Sequence, residues 1–383
     1  MHCDYFDAGR CRSCTLMGVP YAVQLAEKQT AVEVALRDVA PAMTWHEPFT
    51  SAESGFRNKA KLVVGGRTGA VTLGILDGDR RGVDLRHCGL HEPALREVLP
   101  TLADLVDDLG LEPYDVPHRR GELKYLLLTT SPDGELMLRL VLRSRRQLEA
   151  VRAAVPQLTT RIPGLRVVSV NLHPEHKAVL EGDTEVVLTR QADLPIRVAG
   201  LTLHLRPRSF FQTNTAVAAG LYEQARTWVE ATLPSSVWDL YCGVGGFTLA
   251  AATTGSPPAH VLGVEVTQEA VDSARLSADK LGLGGVGAGG VVDFIAGDAA
   301  LVTRGERPTP DLVVVNPPRR GIGDLASWLE ASSVGHVAYS SCHAGSLARD
   351  LTAMPSLTVR EARLFDMFPQ TAHHEVMVRL ERR

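Results

Sequence analysis

The sequence predicts an α/β fold: a doubly wound, mostly parallel sheet over residues 196–383, preceded by an α+β domain over residues 1–195. Three observations carry this. After residue 196, short apolar runs alternate with helical patterns. The first of these runs ends in a glycine-rich turn that opens a helix. Before residue 196, strand-like runs come in hairpin spacing with helices set between them. A chain of 383 residues exceeds one ordinary core, so two domains are expected, meeting near Leu194–Leu201.

Taken in order, the stretch up to Tyr21 is cysteine-rich and irregular. Val23, Leu25, Val32, Val34 and Leu36 give a helical period over Val23–Val39, ending before Pro41. Strands are expected at Lys61–Val64 and Ala70–Leu76, and a helix at Pro93–Leu109. Glu122–Thr130 and Glu135–Arg143 form the clearest hairpin, because Ser131-Pro132-Asp133-Gly134 supplies turn geometry. A helix over Gln147–Val155, a strand over Leu165–Leu172 and extended segments at Glu185–Leu188 and Leu201–Leu205 complete the first half. The second half reads as strands at Val237–Leu240, Val261–Val264, Val291–Ala296, Leu312–Val315, His336–Ser340 and Val376–Leu380, with a helix starting at Gln268. The glycine run 282–290 reads as a connection, since it lacks the strand before and the helix start after that a phosphate loop requires.

Composition excludes several classes. Hydrophobic residues make up 45% and charged residues 22%, which is globular rather than disordered. The chain has no apolar run long enough to span a bilayer. Its opening, Met1-His2-Cys3-Asp4-Tyr5-Phe6-Asp7, lacks the basic and apolar stretches of a leader, so a cytoplasmic protein without membrane contact is expected. Forty-four acids against 40 bases give a net charge of −4, which argues against indiscriminate nucleic-acid coating but leaves room for a local basic surface.

The chemistry gathers in the second half. Val237-Trp238-Asp239-Leu240 runs into Tyr241-Cys242-Gly243-Val244-Gly245-Gly246-Phe247, a strand, an acid and a tight turn where glycines admit close approach of a ligand. The next strand ends in Glu265, placed to accept two ribose hydroxyls. NAD and S-adenosylmethionine (SAM) both suit this plan; the acid at the first strand's end and the absence of a full G-x-G-x-x-G favour SAM. The strand Leu312–Val315 ends in Asn316-Pro317-Pro318-Arg319-Arg320-Gly321, whose prolines fix a loop that aims Asn316 into the crevice at the strand ends. Arg319, where amine methylases carry a stacking aromatic, speaks against that chemistry. Tyr339-Ser340-Ser341-Cys342 places a thiol over the same crevice, a candidate nucleophile or a buried small hydrophobe. Glu375, before the last strand, is a candidate base.

Phe210-Phe211-Gln212-Thr213-Asn214, the turn Asp239–Phe247, Asn316–Gly321, Tyr339–Cys342 and His373-His374-Glu375-Val376, in this order, resemble the RNA uracil-C5 methyltransferases. Phe56-Arg57-Asn58-Lys59-Ala60-Lys61 and Arg120-Gly121-Glu122-Leu123-Lys124-Tyr125 resemble that family's N-terminal half, so the resemblance covers essentially the whole chain. It implies a class I SAM-dependent methyltransferase in which Cys342 is the nucleophile and Glu375 the base, with SAM contacts from Gln212, Tyr241, Glu265 and Asn316. One departure stands at His343, where these enzymes usually carry Asn.

Six cysteines in a cytoplasmic chain point to metal rather than disulfides, and Cys3, Cys11, Cys14 and Cys88 are the donors. From the residues alone, zinc and an iron–sulfur cluster are equally suited. The opening Asp7–Cys14 resembles the branch that methylates 23S rRNA, which implies a [4Fe–4S] cluster and an unpaired uridine in a 23S rRNA hairpin loop as substrate. The tRNA-directed members lack the four cysteines. Another rRNA branch carries an N-terminal TRAM barrel, for which cysteines beginning at residue 3 leave no room. A monomer is expected. Phosphate contacts are expected from Arg57/Lys59/Lys61, His118/Arg119/Arg120/Lys124 and Arg139/Arg143/Arg145/Arg146, and Arg206/Arg208 before Phe210 and Phe211 flank the target nucleotide.

Overall fold

The computed structural model describes residues 1–177, 179–285, 290–305 and 307–383. The glycine run 282–290 includes residues 286–289, which lie outside the described residues. The chain forms two compact units, Met1–Met17 with Glu53–Ile196, and Gly18–Ala52 with Arg197–Arg383. The excursion of residues 18–52 is what a single cut near residue 195 does not describe. Its physical reason lies in the helix Tyr21–Leu36, whose Val32 and Leu36 are buried in the same core as Val313, Val315, Leu347 and Val378.

The first unit holds a seven-stranded sheet in the order Gly82–Asp84, Ala70–Leu76, Lys59–Arg67, Leu123–Thr130, Leu136–Leu142, Leu165–Leu172, Thr184–Val187. Alternation sets its two faces. Ala60, Leu62, Val64, Leu126, Leu128, Leu138 and Leu140 pack with Leu95, Leu99, Leu102 and Val106 of the helix Pro93–Asp108, and with Val151 and Leu158 of the helix Leu148–Arg161. The latter helix runs on through Pro156, beyond the Val155 end read from sequence, because Leu158 still has core to fill. The hairpin register departs from regularity between Leu123 and Tyr125: Leu123 faces Leu142 and Tyr125 faces Val141, so Lys124 is an extra residue.

The second unit holds an eight-stranded sheet in the order Thr44–Trp45, Leu357–Phe365, Glu375–Arg382, His336–Ser341, Leu312–Val315, Ser236–Leu240, His260–Glu265, Val292–Ala296. The five strands from His336–Ser341 to Val292–Ala296 are parallel; Glu375–Arg382 runs antiparallel to both its neighbours. Ser236–Leu240 is first in sequence of the parallel five and lies in the middle of them, with Leu312–Val315 on one side and His260–Glu265 on the other. That is the switch point where open α/β sheets leave a crevice at their carboxyl ends. The strands are continuous apolar runs because both faces are covered. Among the described residues, no helix is long and apolar enough to cross a membrane.

Candidate active site

The residues singled out in the second half fall at the carboxyl ends of adjacent strands. Tyr241 follows Ser236–Leu240, Glu265 ends His260–Glu265, and Asn316 follows Leu312–Val315. The turn after Ser236–Leu240 is tightly constrained. Tyr241 has a φ of 78°, in the left-handed region that non-glycine residues avoid, and Gly243 and Gly245 have φ of 55° and 86°. The Tyr241 and Cys242 N–H groups both donate to the Val264 carbonyl at 2.9 Å, which holds the strain in place. A Cβ on Gly246 would lie 2.3 Å from the Tyr222 hydroxyl, so only glycine fits there; a Cβ on Gly243 would meet nothing within 4 Å, which leaves that stretch of backbone open to a ligand.

Two carboxylates frame this turn. Glu265 accepts from the Gly243 N–H at 3.2 Å and from the Thr267 N–H at 2.9 Å, one bond on each oxygen, leaving lone pairs for further donors such as ribose hydroxyls. Asp239 is fully buried; Thr248 donates to its Oδ2 at 2.6 Å, and Oδ1 has no partner. Burial raises the Asp239 carboxyl to about 7, against the Thr248 hydrogen bonds and with a smaller push from Glu265. An orphaned buried acceptor beside an open glycine turn suits a ligand that brings a donor or a positive charge. Gln212 is buried, two residues before Asn214, whose side chain caps the helix Thr215–Thr232 by accepting from the Val217 N–H at 3.3 Å. The segment leading to Gln212 lies along the helix that follows Glu265: the Arg208 N–H donates to Glu269 at 3.0 Å, and the Ser209 and Ser273 hydroxyls are 3.1 Å apart.

Cys342 and Glu375 meet through strand pairing. In the antiparallel ladder between His336–Ser341 and Glu375–Arg382, Ser341 faces Val376, so Cys342 and Glu375 occupy the next rung. Glu375 is 5% exposed, its Oε2 has no hydrogen-bond partner, and burial alone raises its carboxyl to about 8. Cys342 is half-buried; its thiol is pushed up first by burial and then by Glu375, and is drawn down by Arg319. A thiol, an orphaned carboxyl and a guanidinium therefore share one corner. That combination suits addition of sulfur to an electrophilic carbon followed by proton removal.

The supports of this corner escape a sequence reading. Asp350, on the helix Ala344–Thr352, accepts from the Tyr339 hydroxyl at 2.7 Å and the Ile322 N–H at 2.9 Å, pinning the loop of Asn316 and Arg319 to the strand that leads to Cys342. Lys28, 3% exposed, donates to Asp366 at 2.6 Å and to the Phe368 carbonyl at 3.1 Å, while Gln24 donates to the Gln370 side chain at 3.0 Å and accepts from its N–H at 2.9 Å. These bonds hold the loop that delivers Glu375. The one signal available was spacing: Gln24 and Lys28 precede Val32 and Leu36 at four-residue intervals, two polar residues on an otherwise apolar stripe. His343 has a concrete role. Its Nδ1 accepts from the Ser346 N–H at 3.0 Å and caps the helix Ala344–Thr352, the same service an Asn performs at an N-cap.

The expected basic surface is corrected in part. Arg139 is 3% exposed and held between Glu181 and Glu185, with Nε 2.9 Å from both Glu185 oxygens. Arg143 donates to Glu122 at 3.1 Å, and Arg146 pairs with Glu112. Glu181 and Glu185 spend the Arg139 charge inside the fold, so Arg139 is scaffolding, whereas Arg143 and Arg146 pair with acids while still reaching solvent.

The profile of the tRNA (uracil-5-)-methyltransferase family matches residues 20–286. The chain belongs to this family. Within it, the chain is 48% identical over 386 residues to the 23S rRNA (uracil(747)-C(5))-methyltransferase RlmC of Halothiobacillus neapolitanus, and 46% identical over 384 residues to that of Cronobacter sakazakii, each match covering 100% of both chains. The fold is similar to that of the tRNA (uracil-54, C5)-methyltransferase of Pyrococcus abyssi, solved with S-adenosyl-L-homocysteine: TM-score 0.78 at 22% identity, covering 96% of this chain and 85% of that one. The family's methyltransferase fold thus extends over this chain, and its sheet carries the strand-end residues described above.

Proposed function

We propose that this chain methylates C5 of a uridine in 23S rRNA, the uridine numbered 747 in the names of its relatives, with SAM as the methyl donor. The observation that carries the chemistry is the shared rung of Cys342 and Glu375, a nucleophile beside a buried acid without a partner. C5 of uracil is too weakly nucleophilic to take a methyl group unaided. Cys342 Sγ adds to C6, and the pair from the C5–C6 double bond moves onto C5 and the O4 enolate. SAM, held by Gln212, Tyr241, Glu265 and Asn316, would supply an electrophilic methyl on a sulfonium; C5 takes that methyl as the methyl–sulfur bond breaks, and its electron pair leaves with neutral S-adenosylhomocysteine. Glu375 then takes the C5 proton, the double bond re-forms, and Cys342 leaves as thiolate.

The proton inventory fits this order. At neutral pH the buried Glu375 rests protonated, which removes a negative charge from beside Cys342 and favours its ionisation, with Arg319 assisting. The Cys342 proton passes to solvent as the thiolate forms, and Glu375 must likewise release its own proton to solvent before taking the one from C5; its raised proton affinity makes it the stronger base when it does. The target uridine has to be unstacked to reach a half-buried thiol, so a loop nucleotide is the preferred substrate.

A [4Fe–4S] cluster on Cys3, Cys11, Cys14 and Cys88 belongs to the same proposal. Cys14 is buried with Phe56 and Leu90, with Cys88, Met1 and Met17 packed around them. Burial first, then Cys88, Cys11 and Cys3, push the Cys14 thiol up to about 11. Four thiolates suit such a cluster, each binding a different iron, and its role in this proposal is in folding, apart from the methyl transfer.

The test is methyl transfer from labelled SAM to a 23S rRNA hairpin and to tRNA, side by side. Cys342→Ala abolishes transfer while SAM still binds, and Glu375→Gln accumulates a denaturation-resistant protein–RNA adduct. Full activity in Cys342→Ala ends the mechanism; faster transfer to tRNA overturns the choice of substrate.

A further inference from the structure

The first unit contains a cavity of about 470 Å³ that no part of the chemistry above uses. Its floor is the sheet face opposite the helices, with Val63 and Tyr125 paired across two strands. The extra residue at the strand irregularity turns Lys124 to the same side as Tyr125. Irregularities of this kind re-aim side chains and gather at binding sites. Three separate loops close the walls: Arg80 from the turn before Gly82–Asp84, Tyr114 and Arg119 from the loop before Leu123–Thr130, and His176 with Lys177 from the loop after Leu165–Leu172.

The chemistry of this lining is selective. It contains two tyrosines, a histidine and four cations, and no carboxylate. Lys124 Nζ lies 4.9 Å from the Tyr114 ring centre and donates to the Glu175 carbonyl at 2.6 Å; the Tyr114 hydroxyl is 2.9 Å from His176 Nδ1. Lys177 is balanced by Glu175, whereas among the described residues neither Arg80 nor Arg119 has a carboxylate partner. Both stand on backbone with positive φ, 61° and 54°, at exposed turns. Desolvation first, then Arg119, Lys124 and Arg80, hold the His176 imidazole below its usual range, so these cations bear on one point. Aromatic faces above an uncompensated pair of guanidiniums match a ligand with a flat ring and an adjoining phosphate. The volume accommodates one nucleotide.

We propose that this cavity is a second nucleotide site, holding an unpaired ribonucleotide of the substrate RNA other than the methylated uridine. Its base lies against Tyr125, and its phosphates meet Arg80 and Arg119. The proposal rests on the reading of the substrate as RNA and adds how a loop is selected. Two anchored bases, one at Cys342 and one here, discriminate loop shape where phosphate contacts alone cannot.

The experiment uses the full-length protein and a 23S rRNA hairpin whose unpaired nucleotides are made abasic one at a time. For the unsubstituted protein, one abasic position other than the target uridine weakens binding roughly tenfold. Tyr125→Leu weakens binding of the intact hairpin to the same extent and loses nothing more at that position. Arg119→Ala, at an exposed loop, keeps its melting temperature and lowers the salt dependence of binding by ~0.7 in log–log slope. Additive losses at every abasic position, or unchanged binding in Tyr125→Leu and Arg119→Ala, overturn the site. Methyl transfer to the same hairpin is followed in parallel. Transfer without coupling defeats the cavity alone, and coupling without transfer defeats the proposed reaction alone.

Discussion

Two buried glutamates set the two sheets apart. Glu122, at the entry to the hairpin of the first unit, has no exposed surface, yet four donors reach it: the Arg143 guanidinium at 3.1 Å, the Ser144 N–H at 3.1 Å and hydroxyl at 2.7 Å, and Arg146 at 3.5 Å. Glu375, at the entry to the last strand of the second unit, is buried nearly as deeply with an oxygen that nothing satisfies. The first is a structural acid whose charge is consumed by its neighbours. The second carries an oxygen with no hydrogen-bond partner, and burial raises its carboxyl to about 8.

Exchanging the two roles is the largest available test. Glu375→Gln lowers methyl transfer by roughly 10²–10⁴-fold, the range for losing a general base. The same change stabilises the fold, and the gain depends on pH. Between about 4.5 and about 8 the native chain holds a proton at Glu375 that the unfolded chain has released, so stability falls as pH rises through this window. The gap in unfolding free energy between Glu375→Gln and the parent therefore opens from pH 5 to pH 8, reaching roughly 2–4 kcal/mol in denaturant titrations. Glu122→Ala does the opposite: transfer per folded molecule stays within a few-fold, while stability drops by ~2 kcal/mol, less than a fully buried pair because both arginines reach solvent.

Lys28→Ala strands Asp366 in the core and costs ~3 kcal/mol; because the loop to Glu375 loses an anchor, transfer falls along with stability, which separates it from Glu122→Ala. The charge coupling at the reactive corner is read by alkylating Cys342 across pH and locating the product by mass spectrometry. Relative to the parent, the midpoint moves down in Glu375→Gln and up in Arg319→Ala; identical profiles would remove both residues from the thiol's surroundings. The smallest effect is at His343. Replacement by Asn leaves melting within error, whereas Ala costs ~1 kcal/mol by uncapping the helix after Cys342.

The contrast also explains what was legible in the sequence. Tyr241, Glu265, Asn316 and Cys342 follow or end apolar strands, and the carboxyl end of a parallel strand is a position that local pattern can identify. Strands such as Leu165–Leu172 and Leu312–Val315 emerged with their bounds because apolar runs and turn residues are local signals. Charge partnership is not local. Arg139 and Glu185 are 46 residues apart and Lys28 and Asp366 are 338 apart, so a cluster of arginines reads the same whether it faces a phosphate or an internal glutamate. The cavity of Tyr114, Lys124 and Tyr125 was invisible for a related reason: it depends on a one-residue slip in a ladder that sequence periodicity treats as regular.

The placement of the helix Tyr21–Leu36 also orders events in time. A ribosome makes its residues well before the partners of Lys28 and Gln24, at Asp366 and Gln370, which follow 338 and 346 residues later. At ~5–20 residues per second, this helix waits roughly 20–70 s before its polar stripe can be satisfied. The residues in between include everything from Glu53 to Ile196, a continuous segment with its own sheet and helices, free to collapse during that interval. The loop that leads to Glu375 can therefore be anchored by this helix only after residues 366–370 have been made, long after the segment from Glu53 to Ile196.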